Sequence, residues 1–129
     1  TPFAMNANGT VVGSSHDDTQ RVRAFAWRPG EALRDLGLPN GAQASEARGV
    51  DSNERILGNV VDASGLAHGV FFDTASGEIM NLPLPADAKG LSFVAAHLKG
   101  MAADGRAVGT GTVTSAQGSS VHCVLWRPE

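Results

Sequence analysis

The sequence holds few side chains whose type and spacing suit chemistry. Its most polar run is His16-Asp17-Asp18. An imidazole beside two carboxylates is the kind of group that holds a divalent cation or carries a proton. These residues stand in the link HDDTQRVR, between Ser14-Ser15 and Gln20-Arg21, and neighbours on an extended strand face opposite ways, so shared ligation needs the link to curl. The setting predicts a solvated loop without a metal, and no cofactor is expected. VGSSH lacks the G-x-S-x-G pattern and strand-to-helix turn of an exposed serine nucleophile. GTGT at 109–112 leads into another link and not a helix, so it is not expected to cradle a phosphate.

Two further sets of residues draw notice because they recur. Arg23, His68 and His122 precede Trp27, Phe72 and Trp126 by the same four residues. Equivalent positions face equivalent surroundings, so His68 and His122 are candidates to line one rim or pocket. The plainer reading is that each, like Arg23, holds a strand end by hydrogen bonding to a neighbouring turn. The aromatic residues suit stacking on a sugar ring if exposed; their register with apolar positions predicts burial between units instead. The candidate ligand-binding residues are thus His68, His122, Arg23, Trp27 and Trp126. Cys123, on the opposite side of its strand from His122, reads as a small core residue. His97 reads as a residue at the start of a strand.

What must position these residues is a repeat. RAFAWRPG at 23–30 and HCVLWRPE at 122–129 share Trp-Arg-Pro, and HGVFFD at 68–73 is a third copy. Upstream, GTVVGSS, ERILGNV and GRAVGTG align Gly13, Gly58 and Gly109. The last copy carries extra residues in the link TGTVTSAQGSSV, where a structural repeat tolerates insertion. Before each glycine element, Asn8-Gly9, Asn53-Glu54 and Asp104-Gly105 suit a tight hairpin turn with positive φ. After the aromatic elements, Leu33, Leu36 and Leu38 match Ile79, Leu82 and Leu84 as a fourth strand. The third unit stops at Glu129, before its outer strand. The chain therefore reads as a single all-β domain, 1–129, of three four-stranded antiparallel repeats of β-propeller blade type. The units cover approximately 1–45, 46–96 and 97–129, and the third lacks its outer strand. Small residues at Ala47-Arg48-Gly49 and Lys99-Gly100-Met101 suit a crowded inner strand.

The combination of N-x-x-G-x-V-V-G from Asn6 to Gly13, the strands Arg23-Ala24-Phe25, His68-Gly69-Val70 and His122-Cys123-Val124, and Asp35-Leu36-Gly37 resembles the bacterial HAF repeat, a probable extracellular repeat. Each triplet departs from His-Ala-Phe, and Asn81-Leu82-Pro83 replaces Asp-Leu-Gly in the second unit. The resemblance implies a secreted or envelope-associated bacterial protein and supplies no catalytic motif.

Composition narrows the classes further. A net charge of −3 argues against nucleic acid as the main partner. The apolar runs are too short for a membrane-spanning helix, so no membrane insertion is expected. One cysteine excludes an internal disulfide. The expected function is a noncatalytic binding or protein-interaction module that contacts a protein or glycan ligand through the variable links 14–22, 61–67, 85–97 and 110–121. A carbohydrate-binding lectin using the three aromatics is the alternative, and a metal-dependent hydrolase is the third reading. Three units in an open arc leave two apolar faces bare, so either the chain is a fragment of a longer ring or copies associate, and a homodimer is the expectation.

Overall fold

The computed structural model describes residues 1–82, 93–115 and 118–127. The protein is all-β, with eleven strands and no helix among the described residues. The first unit is an antiparallel meander of β1 (Pro2–Met5), β2 (Val11–His16), β3 (Val22–Trp27) and β4 (Arg34–Gly37). The second repeats it with β5 (Ala44–Val50), β6 (Ile56–Val61), β7 (Ala67–Phe72) and β8 (Ile79–Asn81). The third places β9 (Phe93–Met101), β10 (Ala107–Ser115) and β11 (Gly118–Trp126) side by side. The inner strands of the second and third units thus begin a few residues before the sequence boundaries at 46 and 97. A single parallel bridge, Val22 to Ala44, joins the first two meanders into one sheet. Neither sheet closes on itself.

Three pairs of strands share one register. Trp27, Phe72 and Trp126 pair with Val11, Ile56 and Ala107, the first residues of their neighbouring strands. Gly13, Gly58 and Gly109 pair with Phe25, Val70 and Val124. The extra residues of the third unit do not make a loop link, as the sequence suggested. They lengthen β10 and β11, which stay in unbroken register from Ala107 opposite Trp126 to Ser115 opposite Gly118.

One turn type closes five hairpins, beginning at Asn6, Asp17, Asp51, Asp62 and Ala102. In each, the first residue's N–H donates to the carbonyl four residues on, and the N–H three residues on donates back to its carbonyl. The fourth residue has positive φ: Gly9, Gln20, Glu54, Gly65 and Gly105. This is a type I turn closed by a left-handed residue, as short hairpin loops favour. Glu54 holds this conformation without being glycine. Its carboxylate accepts hydrogen bonds from Asn6 and Asn8 Nδ2 and from Thr10 Oγ1, which fixes the turn against the first unit.

The core lies between units. Val12, Ala24, Ala26 and Leu36 of the first pack on Ile56, Val60, Val70 and Phe72 of the second. Leu57 on the other side of β6, with Phe71 and Leu82, packs on Leu98, Ala107, Val124 and Trp126 of the third. β6 is therefore buried along nearly its whole length, with large apolar side chains on both faces and Asn59 as its buried polar residue, because its unit is sandwiched; each large apolar side chain so buried contributes about 1.5–3 kcal/mol.

Candidate functional site

Two equivalent turns at one rim gather the charged residues singled out in the sequence. At the β2–β3 turn, Asp17 Oδ1 accepts from the Thr19 N–H and hydroxyl and from the Arg21 N–H, at 2.7 to 3.0 Å. Its Oδ2 faces Arg21 Nε at 3.4 Å and Arg23 Nη1 at 3.7 Å. At the β6–β7 turn, Asp62 Oδ1 accepts from the Ser64 N–H and hydroxyl and from the Leu66 N–H, and its Oδ2 lies 2.7 Å from His68 Nε2. Arg23 and His68 thus do one job at one position, each turned onto the aspartate that organises its own turn. The Thr19 hydroxyl, aided by the backbone N–H groups and Arg21, lowers the Asp17 pKa to about 2. The Ser64 hydroxyl and His68 hold Asp62 well below the usual carboxylate range.

Asp17 lies in the turn between β2 and β3, flanked by the exposed His16 and Asp18. Its carboxylate is engaged by the turn it starts. Among the described residues no three His, Cys, Asp or Glu side chains gather as a metal would require.

A cleft opens beside each turn. The first is lined by His16, Asp17, Arg23, Phe25, Leu33 and Asp35 and encloses 120 Å3. The second encloses 440 Å3 between Asp62, His68, Asn40, Val70, Ile79 and Asn81. Arg23 Nε also donates to Asp35 at 2.9 Å, which fills the first cleft with an ion pair. The shorter imidazole of His68 leaves the second one open.

A second cluster, at the inner strands, was not legible from the sequence. In each unit the inner strand bulges opposite the repeat glycine: Phe3, Arg48 and Lys99 are the residues skipped by the register. A Cβ on Gly13, Gly58 or Gly109 would lie 1.9 to 2.2 Å from the carbonyl of Thr1, Glu46 or His97. These glycines let the bulge close, and bulges re-aim side chains. The Arg48 guanidinium consequently stacks over the Phe3 ring, 3.8 Å from its centroid. Glu46 Oε1 accepts from Arg48 Nε and Asn59 Nδ2 and faces His97 Nε2 at 3.2 Å. Burial raises the Glu46 pKa, but hydrogen bonds from Arg48 and Asn59 and the Arg48 charge outweigh it, so the net shift is downward. Burial, with the Lys99 charge, lowers the His97 pKa. His97 lies midway along β9 and not at its start.

The remaining candidates separate. Phe72 and Trp126 are buried between units, as expected. Trp27 is not: it is 38% exposed, although Phe25 on the same face of β3 is buried. Cys123 is exposed and not a core residue. The His122 side chain, Leu84 and most of the 85–97 link lie outside the described residues. In comparisons with protein families, curated proteins and solved structures, no match to the chain was found.

Proposed function

We propose that the chain is a noncatalytic binding module built from β-propeller-type repeats related to the HAF repeat, working in the extracellular or envelope setting that this resemblance implies. It takes a protein or glycan ligand in the rim clefts beside Asp17 and Asp62. One observation carries the reading: the two turns are the same to the level of individual hydrogen bonds, while the clefts beside them differ in lining and in volume by more than threefold. Fixed turns with variable clefts are the arrangement of a repeat scaffold whose loops choose the ligand. The acidic and basic groups there are engaged with one another, which suits holding a shape better than moving protons.

The test is a glycan array and a hydrolase panel run on the wild-type protein and on His68→Ala. Binding that His68→Ala weakens at least tenfold, with an unchanged circular dichroism spectrum, is the expected result. Glycan binding lost in Trp27→Ala but kept in His68→Ala gives the lectin reading, and turnover of any panel substrate overturns the noncatalytic one.

A further inference from the structure

Most of the arginines are committed to a partner in their own unit. Arg21, Arg23, Arg48, Arg55 and Arg106 each donate from Nε to a neighbouring carboxylate or hydroxyl. Arg28 and Arg34 differ. Among the described residues Arg28 comes no closer to an acid than 3.5 Å, from Nη2 to Glu54 Oε2. That carboxylate already accepts from Asn6, Asn8 and Thr10. Arg34 gives one Nη2 hydrogen bond to the Thr74 carbonyl and has no carboxylate partner among the described residues.

Both guanidinium groups line one cavity of 240 Å3, with Thr10, Glu31 and Thr74, over the buried Ala26 and Ile56. Ile56 and Thr74 belong to the second unit and the others to the first, so both walls lie within the chain. The cavity stands at the Trp27 and Ile56 ends of the strands, whereas the rim turns lie beyond the opposite ends, at His16 and Val61. Its charged lining is not a demand of the repeat. Asp73 holds the position of Arg28 in the second unit, and register puts Met80 at that of Arg34. Arg55 and Arg106 hold the position of Thr10. The short threonine leaves room; at the second seam Arg55 reaches across to Gly105, where an added Cβ would lie 2.3 Å from its Nη2.

Two guanidinium forks on one cavity suit a planar carboxylate, which each can hold by two parallel hydrogen bonds. Glu31 lines the same cavity and makes no ion pair among the described residues. An ionised carboxylate accepts and cannot donate, so Glu31 asks for a donor on the ligand. Two cations against one anion leave the lining with a single positive charge, a match for one carboxylate and not for a doubly charged phosphate.

We propose that this cavity binds a small carboxylic acid bearing an adjacent hydroxyl or ammonium group, its carboxylate held by Arg28 and Arg34 and its donor by Glu31. The site is separate from the rim clefts and independent of what they bind.

Backbone amide NMR shifts of the wild-type protein, titrated with lactate, serine, acetate and inorganic phosphate, test it. Lactate or serine is expected to move the signals of Thr10, Arg28, Glu31 and Thr74 at about 1–10 mM, the range of a weak small ligand. Acetate, which lacks the donor, is expected to bind about tenfold more weakly, the loss of one hydrogen bond to a charged group. Arg28→Gln and Arg34→Gln, both at exposed positions, are each expected to weaken lactate and serine at least about tenfold with unchanged circular dichroism. Glu31→Ala is expected to erase the preference over acetate and keep the acetate site. Silence of these signals with every acid overturns the proposal, as does binding that survives both arginine substitutions. Acetate binding as tightly as lactate and serine overturns the role of Glu31, and phosphate binding more tightly than every carboxylate overturns the ligand class.

Discussion

The Asn59 side chain closes on both backbone groups of Leu98: its Nδ2 donates to the carbonyl at 2.9 Å and its Oδ1 accepts from the N–H at 2.6 Å. A side-chain amide thereby replaces a strand pair at the seam between the second and third units. The pair is buried, so nothing else serves those groups if it is lost. Asn59→Ala is expected to destabilise the protein by about 1–3 kcal/mol, the cost of stranding a buried donor or acceptor. Urea unfolding followed by circular dichroism measures it, and an unchanged midpoint would show that water takes over the amide's role.

The repeat glycines make a sharper prediction. A Cβ on Gly58 would stand 1.9 Å from the Glu46 carbonyl, whereas one on Gly100 would meet nothing within 4 Å. Gly58→Ala must push β5 away or undo its bulge, and is expected to cost at least about 3 kcal/mol, the upper end for overpacking. Gly100→Ala is expected within about 0.5 kcal/mol of wild type. Equal losses in the two variants would mean that strand conformation, and not close approach, sets the need for glycine.

The aromatic residues at one repeat position should part company energetically. Trp126→Ala and Phe72→Ala remove buried rings and are expected to cost about 3–5 kcal/mol each. Trp27→Ala, at an exposed position, is expected to cost under about 1 kcal/mol, as surface changes do. Thermal unfolding of the three variants at one low concentration decides the matter.

The rim turns should fail in acid. Asp17 and Asp62 both have depressed folded pKa values, so their contribution is fully present above the unfolded value near 4 and is lost as pH falls through the folded value, about 2 for Asp17. Stability is expected to drop between about pH 4 and pH 2, and Asp17→Asn with Asp62→Asn should flatten that limb. Carboxyl NMR titration reads the same effect directly; an Asp17 midpoint near 4 would contradict the hydrogen bonding at the turn.

Much of the fold was legible because it rests on local rules. Positive φ at Gly9, Glu54 and Gly105 follows from turn dipeptides, and the strand ends at Trp27, Phe72 and Trp126 follow from alternation up to a turn. The equivalence of Arg23 and His68 was readable from spacing, and the structure turns both onto their own turns. Tertiary structure decided the rest. Spacing alone does not tell that Phe72 is buried against the first unit while Trp27 and Cys123 are exposed, because burial is set by packing between strands distant in sequence. Asp17 could not be told from a loop acid, since its hydrogen bonds exist only once the turn has formed. Nor could Glu46, Asn59 and His97 be gathered in advance: they lie on three strands, far apart in sequence. The bulges opposite Gly58 and Gly109 and the packing of one unit's face on the next bring them together.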